Sequence, residues 1–263
     1  MNRISLLLHT VLIVTVLTLI SCRHDKKDIV NPGKVKLVFS QTVDGSPLVF
    51  DSAHYINAAG NEYLVNELQY FVSDIDLYNS DGSVTRLKRP ESQDVYYIDS
   101  HLPSTWSYNI SDAITAGSYD SIAFTFGIIS SKNLTGLFVN PPEVNMFWPD
   151  FMGGGYHYMK MNGTWLDPSN QMQPFNFHMG IGTDNVPVPP VFIDNSFRVH
   201  LPSSVFTLAQ NELKTININM NIENWFQNPH LWDWNVTGGA IMQSQTYMQM
   251  AKENGWDVFN VKL

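Results

Sequence analysis

Apolar and polar residues alternate along several short stretches of this chain. In KVKLVFSQTV, the apolar residues Val35, Leu37 and Phe39 occupy every second position. The same period of two recurs in residues 118–128 and 214–222. Because successive side chains of an extended chain point to opposite faces, each stretch is predicted to be a β-strand with one buried face.

The longest such stretch is LVNELQYFVSDIDLYNSDGSVTRL (64–87), in which Asp81-Gly82 separates two apolar runs. An Asp-Gly pair favours the tight turns that join antiparallel strands, so a hairpin is predicted here. Further short runs lie at 94–100 and 196–202. Short strands separated by turn residues at this spacing are typical of a β-sandwich or a Greek-key-like fold.

Helical patterns are few. AIMQSQTYMQMAKENG (240–255) repeats its apolar residues near every 3.6 positions and is expected to end at Gly255, and 222–227 is predicted to be a short helical turn. The fold class is therefore predicted to be all-β, a sandwich or Greek-key-like fold with a few short helices, one near the C-terminus. Residues 34–263 contain no second linker and are predicted to form one domain.

The N-terminus has the pattern of an export signal. Arg3 precedes an apolar segment, 4–20, that is too short for a confident membrane span. It ends in LISC, which resembles the lipobox of bacterial lipoproteins. Residues 1–21 are predicted to be a lipoprotein signal peptide and Cys22 its acylation site. An ordinary signal peptide with an incidental cysteine is the alternative.

Cleavage there would leave a polar tether, 22–33, between the acyl chains on Cys22 and the domain. The predicted location is the bacterial cell envelope, on the outer membrane or the cell surface, with a periplasm-facing orientation as a further option. The membrane, bound through acylated Cys22, is the predicted partner.

Charge and motif content argue against several classes of function. The chain has 24 acidic and 15 basic residues, a net charge of −9, and no stripe of Lys and Arg, which argues against nucleic-acid binding. The motifs G-x-S-x-G, H-E-x-x-H and C-x-x-C and the Walker loop do not occur. We therefore predict a protein that is not an enzyme. Asp74 and Asp76 are expected to form a surface pair.

Methionine and histidine residues are concentrated in one segment of the sequence. Residues 146–179 contain His157 and His178 together with Met146, Met152, Met159, Met161, Met172 and Met179. Imidazole and thioether donors together suit copper, particularly Cu(I). In YHYMKM, alternation places His157, Met159 and Met161 on one strand face, so Met159 and Met161 are predicted as accessory ligands. Packing of these methionines in the core is the alternative.

Several segments resemble the MbnP-like (methanobactin-associated periplasmic protein) family, which is common among lipoproteins of Bacteroidetes-type bacteria. LVNELQYFVSDIDLYNSDGSV (64–84) resembles its strand with an aromatic pair followed by Ser-Asn/Asp-Ile-x-Leu and a turn. NMFWPDFMGGGYHYMKMNGTW (145–165) resembles its Met-Phe/Tyr-Trp … Gly-Tyr … Lys-x-x-Gly element, and FNFHMG (175–180) its aromatic-x-His-x-Gly element. Residues 116–136 and 216–226 extend the resemblance over roughly 34–263.

The resemblance implies a β-sandwich that binds copper outside the cytoplasm through two imidazoles and, in some relatives, an oxidised tryptophan. His178 falls on a recurring family histidine and Trp148 on a recurring tryptophan. Tyr97 stands where many relatives carry a histidine, which makes His157 the expected local substitute. His54 is the third candidate ligand, because its loop-like surroundings can fold over the site. A lipid-anchored copper-binding protein, in copper acquisition or handling, is the predicted function.

A carbohydrate- or protein-binding module at the cell surface is the alternative function. Aromatic side chains stack on sugars and anchor protein interfaces when they are exposed. NPHLWDWN (228–235) is the stretch on which this alternative depends. It requires Trp232 and Trp234 to be solvent-exposed.

Overall fold

Two β-sheets packed face to face make up most of the described chain. The computed structural model describes residues 31–52 and 54–262; the predicted signal peptide and Cys22 lie outside the described residues. The strands, in chain order, are β1 (Lys34–Val43), β2 (Ser46–Pro47), β3 (Tyr55–Ile56), β4 (Glu62–Asn79), β5 (Val84–Arg86), β6 (Val95–Asp99), β7 (Ser107–Asn109), β8 (Gly117–Phe126), β9 (Met159–Leu166), β10 (Met172–Met179), β11 (Gly182–Asp184), β12 (Val191–Ile193), β13 (Phe197–Leu201), β14 (Phe206–Leu208), β15 (Leu213–Asn221) and β16 (Phe259–Lys262). The helices are α1 (Trp234–Thr237) and α2 (Gln245–Asn254), and 3-10 turns cover Pro90–Ser92, Pro103–Thr105, Glu143–Met146, Asp150–Met152, Ile222–Phe226 and Gly255–Asp257.

The smaller sheet has the strand order β16-β15-β1-β2, with β7 also paired to β1. β1 and β15 run parallel, from Lys34 opposite Leu213 to Thr42 opposite Asn221. The alternating residues of β1 are buried as predicted, with Leu37 fully enclosed. Backbone hydrogen bonding to the domain begins before β1, since Gly33 N donates to the Ile114 carbonyl at 2.8 Å.

The larger sheet is built around β4, in the order β10-β9-β4-β8-β13, with β3, β5 and β6 also paired to β4 and β14 to β8. The predicted hairpin forms, with Tyr78 opposite Val84 across the Asp-Gly turn. The two sheets meet through aromatic contacts: Phe39 of β1 lies 6.5 Å from Tyr96 of β6, between ring centroids. The all-β sandwich predicted from the alternation is confirmed.

The C-terminal helix is confirmed, but it is shorter than predicted. α2 begins after Ser244, whose hydroxyl accepts the backbone N–H of Tyr247 at 3.2 Å. This N-cap follows a turn at Met242 and Gln243 and starts the helix. Gly255 follows the last helical residue, as expected. Within the described residues, no helix combines the length and the apolar character needed to cross a bilayer.

Asp74 and Asp76 are not the surface pair that was predicted. Both are less than 6% exposed, and Arg86 bridges them, with Nη1 2.5 Å from Asp74 Oδ1 and Nε 2.5 Å from Asp76 Oδ1. Arg198 also binds Asp76, and Lys132 binds Asp74. Three cations therefore compensate the two buried carboxylates.

The carboxyl group of Glu223 is buried in the sandwich. Glu223 is 4% exposed and lies in the turn after β15. The Tyr63 hydroxyl donates to its Oε2 at 2.8 Å, and the Ala58 N–H donates to its Oε1 at 3.1 Å. Burial raises the pKa of Glu223 to about 7, because the charged form is poorly solvated there.

Candidate metal site

The connection between β8 and β9, residues 127–158, covers part of the outer face of the larger sheet. Tyr70 points toward the smaller sheet, where Gln41 of β1 donates to its hydroxyl at 3.1 Å. Its neighbour Phe71 therefore points outward, and Phe138 of the connection stacks on it with ring centroids 5.5 Å apart. Phe71 on the outer face is thereby buried beneath the connection.

Three consecutive glycines reverse the chain inside this connection. Gly153, Gly154 and Gly155 all have positive φ, at 109°, 68° and 80°. A Cβ on Gly155 would lie 2.5 Å from the carbonyl oxygen of Asn133, so a larger residue does not fit. The reversal brings the Trp148 N–H to the Gly155 carbonyl at 2.8 Å. The aromatic residues before the glycines are thus returned alongside those that follow.

The reversal places His157 against His178 of β10. Their ring centroids are 5.2 Å apart, and the rings are nearly perpendicular at 84°. His157 Nδ1 lies 2.9 Å from the carbonyl oxygen of Met146, and His178 Nε2 lies 2.8 Å from Asn162 Oδ1. Both oxygens are acceptors, so these two nitrogens carry the protons and donate. The lone pairs then belong to His157 Nε2 and His178 Nδ1.

The orientation of Asn162 is fixed by a further contact. Its Nδ2 donates to Glu67 Oε2 at 2.8 Å, which turns its Oδ1 toward His178. Metal-binding histidines commonly donate their second ring N–H to a carbonyl or carboxylate in this way, because the bond fixes the ring and the tautomer. Neither lone-pair nitrogen has a hydrogen-bond partner among the described residues.

Burial keeps both imidazoles neutral at physiological pH. It lowers the pKa of His157 to about 3 and that of His178 to about 4. The ammonium of Lys160, which stands directly opposite His178 in the β9–β10 pair, lowers both pKa values further. Burial also lowers the pKa of Lys160 itself, and the Glu67 carboxylate opposes that shift. Neutral imidazoles present lone pairs, so this environment leaves both rings able to coordinate a metal.

Trp148 forms one wall of the histidine pair. It is fully buried, and its indole contacts the His157 ring edge-on with centroids 4.7 Å apart. The indole N–H donates to the Met152 carbonyl at 3.1 Å. The ring packs on Gly180, where an added Cβ would lie 2.6 Å from Trp148 Cε3. Trp148 therefore lies beside the histidine pair.

Met159 and Met161 lie away from the histidine pair. They stand opposite Met179 and Phe177 in the β9–β10 pair, and both are fully buried in the core. Opposite residues share a face, so these methionines point away from the face that carries Lys160 and His178. The predicted row of His157, Met159 and Met161 does not form, because β9 begins only at Met159 and strand alternation does not extend back to His157.

His54 is also not brought to the site. It is exposed, with Nδ1 2.7 Å from Glu62 Oε1 at the start of β4. His178 is aligned through Lys160 with Gln69, further along the same strand. Seven residues of strand, from 62 to 69, correspond to about 23 Å.

One member of the pair, His178, faces a surface cavity. His178 lines a cavity of about 540 Å³ together with Asn176, Ala240, Met242 and Gln243. Sequence reasoning missed Asn162, Lys160 and Met242, and only the strand register and the approach of segment 240–243 could reveal them. Across residues 31–52 and 54–262, no three His, Cys, Asp or Glu side chains converge closely enough to hold one ion. Two imidazoles are thus the nitrogen donors available here.

Trp232 and Trp234 are buried, which removes the main support for the alternative function. Trp234 is 1% exposed and stacks on Phe175 with ring centroids 4.8 Å apart. Trp232 contacts Phe177 at 5.0 Å. These indoles are part of the sandwich core and present no surface to a sugar or a partner protein.

These features define a class of protein: a β-sandwich whose covered outer face holds two neutral, oriented histidines. The family model of MbnP matches residues 32–244, and the chain belongs to the MbnP family. The solved structure titled MbnP from Methylosinus trichosporium superimposes with a TM-score of 0.57 and 15% identity, over 88% of this chain and 99% of that chain. At this identity the similarity shows the shared fold. No curated protein matches the chain.

Proposed function

We propose that this protein is a lipid-anchored copper-binding protein of the bacterial cell envelope, in copper acquisition or handling, and that it is not an enzyme. The observation that carries the proposal is the pair of His157 and His178, each with one nitrogen bound to an acceptor oxygen and the other unpartnered in the described chain. The resemblance to the MbnP-like family adds the expectation of copper outside the cytoplasm.

The donor set fits copper better than zinc. Imidazole suits both metals, but protein zinc is almost always four-coordinate. The described residues supply two nitrogens and no neighbouring third His, Cys, Asp or Glu. Cu(I) accepts two or three ligands, so His157 Nε2 and His178 Nδ1 can hold it with at most one further donor.

Copper titration of the purified full chain tests this assignment. Competition with a chromophoric Cu(I) chelator is expected to show one bound copper, and His157→Ala and His178→Ala are each expected to lose it. His200→Ala is the matched control, because His200 lies on β13 and contacts Ser121 and Tyr78 instead.

Thermal melting of the metal-free variants separates loss of ligation from loss of folding. Copper affinity that is unchanged in both His157→Ala and His178→Ala would refute the site. Affinity lost equally in His200→Ala would show a general effect on the protein.

The lipid anchor is a separate part of the proposal and has its own test. Cys22→Ser is expected to abolish incorporation of labelled palmitate and to release the protein from the membrane fraction. An acylated Cys22→Ser variant would contradict the lipobox assignment.

A further inference from the structure

Lys160 brings a positive charge to the histidine pair. It stands directly opposite His178 across the β9–β10 pair, a position in which facing Cβ atoms lie about 5 Å apart. Its half-buried side chain donates from Nζ to the Asn145 carbonyl at 2.6 Å. The next carbonyl along the same turn, that of Met146, accepts from His157 Nδ1. One short turn therefore anchors both the ammonium and a candidate ligand.

No carboxylate neutralises this ammonium at close range. In the described part of the chain, the ion pairs within 4.0 Å do not include Lys160. The two carboxylates nearest in the strand register are engaged by amides: Glu67 accepts from Asn162, and Asp99 accepts from Gln69 at 3.1 Å. The Glu67 carboxylate keeps its charge and acts on Lys160, but Lys160 is the charged side chain that lowers the pKa of both histidines, so a metal ion held by them would be repelled by its ammonium.

We infer that Lys160 is a specificity-determining residue, which makes the histidine pair favour a monovalent metal ion over a divalent one. This inference rests on the proposed function. The repulsion between Lys160 and a bound ion scales with the charge of the ion, so a divalent ion experiences twice the penalty of a monovalent ion. At a separation of about 7 Å and an effective dielectric constant of about 40, as for a site that opens to solvent, each unit of metal charge corresponds to roughly a tenfold loss of affinity.

The test compares metals of different charge on the same variants. Affinities of the full chain for Cu(I), Ag(I), Cu(II) and Zn(II) are measured by chelator competition at fixed ionic strength. Lys160→Met removes the charge, and Lys160→Gln is measured in parallel should the methionine variant fail to fold. Lys160→Arg keeps the charge. Lys36→Met, in β1 of the other sheet, is the matched control for loss of a half-buried lysine.

Removing the charge is expected to raise Zn(II) and Cu(II) affinity about tenfold more than Ag(I) and Cu(I) affinity. Lys160→Arg and Lys36→Met should leave that ratio unchanged. A purely structural role for Lys160 would shift all four affinities by one common factor, and that result, or an unchanged ratio, would overturn the inference. A wild-type chain that binds none of the four metals would instead refute the proposed function itself.

Discussion

Replacing Glu223 by glutamine is expected to stabilise the protein at neutral and alkaline pH. The carboxyl group is buried beside Tyr63, and its pKa is raised from 4.5 to about 7. Below pH 4.5 the group is protonated in both the folded and the unfolded chain, so its burial does not change the pH dependence of the free energy of unfolding. As the pH rises, the unfolded chain releases the proton while the folded chain retains it, and the folded state loses stability until the pH passes 7.

The size of this loss follows from the two pKa values. Their separation, at about 1.36 kcal/mol for each pKa unit, corresponds to about 3 kcal/mol above pH 7. Glutamine carries no charge and avoids this loss. The Tyr63 hydroxyl and the Ala58 N–H must adapt to the amide, at a cost of about 1 kcal/mol. That cost is the same at acidic and alkaline pH, so it cancels when the two conditions are compared.

Chemical denaturation at pH 4.5 and pH 8 measures the effect. The wild-type chain is expected to lose about 3 kcal/mol more between these conditions than Glu223→Gln does. Glu91→Gln is the control, because the Glu91 side chain is 69% exposed and its removal should leave the pH profile unchanged. Identical profiles for wild type and Glu223→Gln would refute the argument that burial holds this proton.

Three further substitutions test the orientation of His178, the packing of Trp148 and the buried carboxylate network. Asn162→Leu removes the acceptor that orients His178 and is expected to weaken copper binding about tenfold to a hundredfold in chelator competition; an unchanged affinity would exclude this orienting role. Gly180→Ala places a Cβ against the Trp148 ring and is expected to cost about 1–3 kcal/mol and to alter tryptophan fluorescence; a wild-type melting temperature would contradict this. Asp76→Ala removes a buried carboxylate that binds the partly exposed Arg86 and Arg198 and is expected to cost about 1.5–3 kcal/mol in urea unfolding; a cost near zero would show that the network is dispensable.

The strands could be predicted because one buried face imposes a period of two. Leu37 and Phe39 in β1, and Ile216 and Ile218 in β15, alternate in sequence and are buried in the structure. The hairpin at Asp81-Gly82 followed from turn chemistry in the same way. The predicted start of α2 is too early, because apolar periodicity continues through the turn that precedes its Ser244 cap.

The site was only partly predictable, because strand register is a property of the folded sheet. His157 and His178 were chosen from their window and from the family resemblance, and the structure brings them together. Strand alternation was extended from Met159 back to His157, although the intervening residues still belong to the glycine-led turn. The position of Lys160 opposite His178 depends on pairing between β9 and β10, which the local sequence does not specify.

The parallel pairing of β1 with β15 has a consequence for synthesis and folding. Ser40 and Asn219, which are joined by a hydrogen bond across this pair, are 179 residues apart. β1 is synthesised long before β15. The edge of β1 that pairs with β15 therefore stays unpaired while most of the polypeptide is made. Closing so long a loop is slow. A chain interrupted before Leu213 would leave that edge permanently open, and proteases and chaperones would meet it in that state.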